Sequence, residues 1–229
     1  MHAQGISSFP YFVGIDSLAD VATRGDRVCV LNILGGESRQ VTPTSHVFSG
    51  GNVAFGTSPG RGGQKLRTPV GDVPVFNSVR EGLNAGHRFN TGVVYLPPAA
   101  VRDGVAELVR VNPDLAKIVV VTEKVSVHDA REIRAIGQTN GIDIFGANGL
   151  GVADSWNQVR IGGALGGDKP GDSLRPGSIA IFSVMMKILR SSALTRISSA
   201  TPSRAADGGR YTTPQLKRYP SSMPSRTLL

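Results

Sequence analysis

The chain has 229 residues, 40% of them hydrophobic and 18% charged, which suffices for one large domain or for one domain and part of a second, and excludes global disorder. Its formal charge of +8 is concentrated at one end: from Val184 onward eight basic residues stand against the single acid Asp207, so that end carries +7 and residues 1–183 carry +1. A near-neutral body argues against a nucleic-acid partner, a lone cysteine rules out an internal disulfide framework or a cysteine-based metal site, and no apolar run reaches the roughly 18 residues of a membrane helix.

Residues 1–26 read as an N-terminal extension. Met1–Gly5 carries no basic region followed by an apolar stretch, so a cytoplasmic protein is expected. Arg27–Ile33 (RVCVLNI) is β-branched and apolar and reads as the first strand, with Cys29 as a small core residue. Asn52–Gly56 is a second short strand. The short apolar run Val73–Phe76 precedes a helix over Ser78–Ala85. Thr91–Leu96 is a strand, punctuated by Pro97 and Pro98, and Pro98 is suited to open the next helix. Ala99–Val111 has helical spacing, with Val101, Val105, Leu108 and Val109 on one face. Ala116–Thr122 is the clearest buried strand, Val127–Thr139 a helix, and Ile142–Phe145 a final strand. This alternation predicts an α/β fold, a doubly wound parallel sheet covered on both faces. Residues 151–177 read as loop, and Ser178–Phe182 as a further strand. Residues 184–229 are basic, rich in Ser and Arg, and expected to be disordered.

In an open parallel sheet, ligands bind at the carboxyl ends of the strands. Four predicted loops lie there. Leu34-Gly35-Gly36-Glu37-Ser38 joins strand to helix, and its glycines either bring backbone N–H groups to a phosphate or only make a tight turn. Gly56–Gly63 places Arg61 among glycines, where it either pairs a phosphate in two-pronged fashion or is solvated. Thr122 and Glu123 end the buried strand, either as acceptors for a sugar or adenine or as a capped strand end. Asn148, among glycines, shapes a turn or offers its amide to a substrate.

The segments Thr57–Gly63 (TSPGRGG), Pro74–Glu81 (PVFNSVRE), Val94–Ala99 (VYLPPA), Val121–Glu123 (VTE), Gly146–Gly151 (GANGLG), Arg160–Gly162 (RIG) and Arg175–Ala180 (RPGSIA) follow one another in register. Their order and spacing resemble the alpha subunit of succinyl-CoA synthetase and its relatives, the nucleoside-diphosphate-forming acyl-CoA synthetases and ATP-citrate lyase. In that family the first two segments read Thr-Pro-Gly-Lys-Gly-Gly and Pro-Val-Phe-Asn-Thr-Val. The resemblance covers about residues 27–183. It implies a Rossmann-like domain that binds coenzyme A over residues 27–150. Residues 151–183 would be a linker and the first strand of a flavodoxin-like ligase domain.

By the same resemblance Gly35, Gly36, Glu37 and Ser38 form the first phosphate-side loop. Arg61 replaces the family lysine at a phosphate of coenzyme A. Thr122 and Glu123 line the adenine and ribose side, and Asn148 lies near the thiol end and the acyl substrate. The implied partners are an ATP-grasp beta subunit and a small carboxylic acid, of which succinate, an acid of the tricarboxylic acid cycle, is one option. The chain also departs from the family. Arg39 stands where the first loop has its last glycine, and Gly149-Leu150 replaces Cys-Pro. The family's phosphorylated histidine sits in a Gly-His-Ala-Gly setting. His2, His46, His87 and His128 have no such context and are read as solvated, so no catalytic residue and no metal site is assigned. The ligase domain is therefore expected to be truncated, and the segment from Val184 to be an out-of-frame or otherwise aberrant sequence. The expected function is the coenzyme A-holding part of an acid–CoA ligase. The alternative is a non-catalytic CoA-binding sensor or interaction protein. An NAD(P) oxidoreductase is disfavoured, because the first loop lacks Gly-x-Gly-x-x-Gly and the second strand ends in Gly56-Thr57 without an acid.

Overall fold

The computed structural model describes residues 21–163. The tail from Val184, the strand expected at Ser178–Phe182, His2 and most of the N-terminal extension lie outside the described residues.

The strands form where β-branched runs occur. β1 (Val28–Leu31) is buried along its whole length and sits mid-sheet. It pairs in parallel with β2 (Val53–Thr57) on one side and β5 (Thr91–Val94) on the other. β4 (Val73–Phe76) continues beyond β2, while β6 (Lys117–Val120) and β7 (Asp143–Phe145) continue beyond β5, all in parallel. A two-residue strand, β3 (Lys65–Leu66), adds antiparallel to β4 at the edge. The seven strands run β3-β4-β2-β1-β5-β6-β7. The chain builds outward from β1 to β4 and then returns to β1's other side. The point of reversal between β1 and β5 opens a crevice at the carboxyl edge.

Alternation along β1 divides the core into two layers, Val28 and Val30 facing one way and Cys29 and Leu31 the other. The second layer is covered by α2 (Val79–Asn84), α3 (Val101–Val111) and α4 (Val127–Asn140) through residues such as Val79, Val101, Val105, Leu108 and Ile133. A 3-10 turn over Pro98–Ala100 leads into α3. Ser78 and Ser126 cap α2 and α4 by accepting the N–H of Glu81 and Asp129, and Gly141 ends α4 in the left-handed conformation its missing Cβ permits. Burial pushes the Cys29 thiol well up, and nearby Glu107 adds to it, as suits a core residue.

The first layer is covered differently from the sequence expectation. The stretch 151–177 read as loop contains a hairpin, β8 (Gly151–Asp154) paired antiparallel with β9 (Val159–Gly162). Its Val159 and Ile161 enter the core beside Val28, Val53 and Val119. Glycine, Asp and Asn at its ends hid the strand signal, and the residues that fold it are too few to show a period. The hairpin packs on α1 (Gly36–Phe48), a helix whose buried side is mostly polar: Ser38, Thr42, Ser45 and His46 with Val41. Partners supply what apolar packing does not. Ser45 Oγ donates to the Gly162 carbonyl at 2.8 Å, and His46 Nδ1 accepts the Val53 N–H at 3.0 Å. His46 is thus buried rather than solvated, and burial lowers its pKa. His87 is half-buried against Phe55 and Phe76, while His128 is exposed on α4.

At the opposite, amino edge of the sheet, Lys117 Nζ lies 3.0 Å from Asp26 Oδ1 and donates to the Val21 carbonyl at 3.0 Å. This buried pair ties the segment before β1 to β6. Among the described residues no helix is long and apolar enough to cross a membrane.

Candidate functional site

All four predicted loops meet at the carboxyl edge of the sheet. After β1 the chain turns at Asn32, whose φ is 63°. Its carbonyl accepts the Gly35 N–H at 2.9 Å, and its side-chain amide donates to the Tyr95 carbonyl at 3.0 Å. Asn32 therefore clamps the ends of β1 and β5 at the crevice. Gly35 must approach it closely: a Cβ there would lie 2.6 Å from Asn32 Nδ2. Gly36 is open on its outer side and begins α1. Ser38 faces the other way. It is 1% exposed and its hydroxyl donates to the carbonyls of Asn32 and Gly35, so it braces the loop from within.

The second loop, after β2, is held by a residue that carries no charge. Asn77 Oδ1 accepts the N–H groups of both Gly60 and Gly62 at 3.0 Å. A Cβ on Gly62 would come within 2.4 Å of the Asn77 amide. Ser58 N–H donates to the Phe76 carbonyl and Gly63 N–H to that of Val75, each at 2.9 Å. The loop is thereby folded back along β4, with the Arg61 side chain exposed.

Between this loop and the first turn of α1 lies a cavity of about 400 Å³. Leu34 and Pro43 contribute apolar surface, and Arg39, Arg61, Lys65 and Arg67 supply four cations, with no carboxylate in the lining. Sequence reasoning found Arg61 and noted Arg39 only as a departure. It missed Lys65, Arg67 and Asn77. The available signal was two cations, Lys65 and Arg67, just after the glycine loop that holds Arg61, and an asparagine directly after β4.

The far side of the crevice has the opposite character. Thr122 donates its hydroxyl to the Leu96 carbonyl at 2.7 Å, bracing the chain after β5 against that after β6. Glu123 faces Glu37 across the gap. The walls of the crevice strip hydration from Glu37, and the Glu123 carboxylate adds repulsion, so its pKa is raised although its side chain retains solvent access. Tyr95 is raised more strongly, first by burial and then by Glu37, against an opposing effect of Arg160. Asn148 adopts φ 62° and donates its N–H to the Thr122 carbonyl at 3.0 Å. Among the described residues the Tyr95 hydroxyl and Asn148 Oδ1 are both buried without a hydrogen-bond partner.

Residues 34–124, which contain both glycine loops, the cationic cavity and the Thr122-Glu123 pair, match the family described as CoA binding domain. This chain carries a CoA binding domain. The chain is 29% identical over 121 residues to an ADP-forming sulfoacetate-CoA ligase subunit of Bilophila wadsworthia, covering 53% of this chain and 37% of the relative. It is 30% identical over 130 residues to an ADP-forming sulfoacetate-CoA ligase subunit of Acholeplasma, covering 56% and 41%. The chain thus spans about two fifths of the length of these curated relatives. Among solved structures, the ATP citrate lyase of Methanothrix soehngenii, in complex with citrate and coenzyme A, superposes with a TM-score of 0.57 at 16% identity, over 74% of this chain and 27% of that one. That likeness shows the shared fold. Both curated relatives are subunits of ADP-forming CoA ligases.

Proposed function

We propose that this chain holds coenzyme A for an acid–CoA ligase and presents its thiol to an acyl phosphate formed with a partner subunit. The observation that carries the reading is the cationic cavity beside two glycine loops, inside the segment that matches the CoA binding domain. Coenzyme A is a polyanion at its nucleotide end and carries neutral amides along its pantetheine arm. The cavity suits the first, with Arg61 and the backbone of Gly35 and Gly36 near the diphosphate. In this placement Glu37, Thr122 and Glu123 flank the arm beyond the reversal point. That reverses the adenine-side placement which the resemblance implies for Thr122 and Glu123. Asn148 stays near the thiol. Ser38 contributes by keeping the first loop in shape.

In the proposed reaction the CoA sulfur bonds to the acyl carbon, the carbon–oxygen bond to phosphate breaks, and phosphate leaves. The thiol proton goes to a base or to solvent. The relatives are subunits of ADP-forming ligases, which supports a beta subunit of the ATP-grasp type as partner and a small carboxylic acid as substrate. The test is calorimetric titration of CoA into the full chain, with NAD as control. Saturable CoA binding is expected. Arg61→Ala should weaken it by roughly 1–3 kcal/mol, as for a lost charged hydrogen bond. A folded chain that takes up NAD and not CoA would refute the reading.

A further inference from the structure

Three side chains with metal-ligating atoms converge on the exposed side of α4. His128, Asp129 and Glu132 each bring one donor atom to a common space, and these atoms lie within 4.8 Å of one another. His128 Nδ1 is 3.6 Å from Glu132 Oε1 and 4.0 Å from Asp129 Oδ1. A zinc ion bound at about 2.0–2.2 Å to each of two donors spans at most roughly 4 Å between them. Both separations from the imidazole therefore already suit one shared ion, and small rotations of solvent-facing side chains close the rest.

The helix and its neighbours explain why these atoms meet. His128 and Glu132 are one turn apart and so lie on the same face of α4. Each carboxylate is held from outside the cluster by its other oxygen. Glu132 Oε2 accepts from Arg102 Nη1 on α3 at 3.1 Å, and Asp129 Oδ2 accepts the Ser126 hydroxyl at 2.8 Å. Glu132 Oε1 and Asp129 Oδ1 are left facing the imidazole. Outer groups that fix one oxygen of a carboxylate and leave the other available orient a metal ligand. The helix dipole accounts for an acid in the first turn, but not for an imidazole beside it. Core packing does not account for it either, since the His128 side chain is 78% exposed.

We propose that His128, Asp129 and Glu132 form a site for a divalent transition ion such as Zn2+, with water filling the rest of its shell. An imidazole beside two carboxylates suits zinc, nickel or cobalt, whereas magnesium and calcium take oxygen ligands. The site shares no residue with the coenzyme A reading, so either can fail without the other.

The test is calorimetric titration of ZnCl2 into the full chain and into the variants His128→Ala and Glu132→Gln, with denaturant unfolding in the absence of zinc to report that each variant is folded. The unaltered chain should show a saturable event that each variant weakens roughly tenfold or more, because the ion loses one of its three protein ligands. Zinc should also slow amide exchange in the first turns of α4, which it ties together, and MgCl2 at the same concentrations should give no such event. Absence of zinc binding overturns the site. Equal zinc affinity in the unaltered chain and in His128→Ala does the same, and would place the ion on another histidine. Weakening by His128→Ala but not by Glu132→Gln overturns the shared geometry, and magnesium binding as tight as that of zinc overturns the role of the imidazole.

Discussion

Removing the Asn77 side chain isolates the contribution of loop order to binding. Asn77 Oδ1 accepts two backbone N–H bonds at 3.0 Å, from Gly60 and Gly62. Both donors are exposed, so in Asn77→Ala water replaces the lost acceptor and the direct stability loss is at most about 1 kcal/mol per bond. The larger effect is on order. Gly60 and Gly63 have φ of +76° and +87°, and glycines in such a loop wander once released. Fixing each residue again on binding costs about 1–2 kcal/mol of backbone entropy. Re-ordering two of them would weaken CoA binding by roughly 2–4 kcal/mol, about 30- to 800-fold, with a change in unfolding free energy of at most about 2 kcal/mol. Calorimetry for affinity, denaturant unfolding for stability and hydrogen exchange at Gly60 and Gly62 separate the two effects. Asn77→Asp keeps an acceptor but adds a negative charge beside Arg61, so it should preserve protection of the two amides while still weakening CoA. If Asn77→Ala exchanges faster at both glycines yet binds CoA unchanged, loop order does not govern the site and the reasoning fails.

Two further outcomes are expected. Tyr95→Phe deletes a buried hydroxyl with no protein partner, so chemical unfolding should show stability unchanged or slightly raised; a loss above about 1 kcal/mol would mean that the hydroxyl is bonded. Asp143, at the amino edge of β7, has its pKa pushed up to about 6, chiefly by burial and against the pull of Lys117. The folded state then binds this proton more tightly than the unfolded chain, so stability falls as pH rises from about 4 to 6 and the penalty is complete above that. Asp143→Asn should therefore stabilise at pH 7, by about 1 kcal/mol once solvent at this half-buried carboxyl is allowed for, and have little effect near pH 4. Destabilisation at neutral pH in denaturant titrations would show that the Lys117 attraction dominates instead.

The parallel sheet was legible because its strands are buried on both faces and therefore continuous in sequence: Val28–Leu31, Thr91–Val94 and Lys117–Val120 are fully buried runs. α3 and α4 were legible from apolar spacing. α1 was not, because its buried face is Ser, Thr and His around Pro43, and hydrogen bonds to β2 and to the hairpin replace the missing apolar stripe. The hairpin itself is short and glycine-bounded, and it folds by adding Val159 and Ile161 to a core made elsewhere. At the site, residue type revealed where the loops lie but not how they are braced. Ser38 and Thr122 hold backbone carbonyls, and Asn77, which lies outside the glycine loop, sets its shape.

The crevice is divided by charge, and the division bears on the orientation of a bound ligand. Four cations line the cavity beyond β2, while Glu37 and Glu123 oppose each other past the reversal point. A unit charge pair about 4 Å apart is worth roughly 1–4 kcal/mol at effective dielectric constants between water and a protein surface. A diphosphate set beside the two carboxylates would incur that penalty and forfeit the attraction of the cations, a difference of several kcal/mol, or at least about a hundredfold in population. In the proposed reading the nucleotide end therefore goes to the cationic half. In that reading the neutral pantetheine arm passes between the carboxylates, which repel an anion but not an amide. The same reading has the thiol emerge on the side of Asn148, the edge from which the chain leads on toward the hairpin. An acyl phosphate is itself an anion. In the proposed reaction the same carboxylates keep it out of the interior of the crevice, so that it meets the thiol at the mouth, on the side open to the proposed partner subunit.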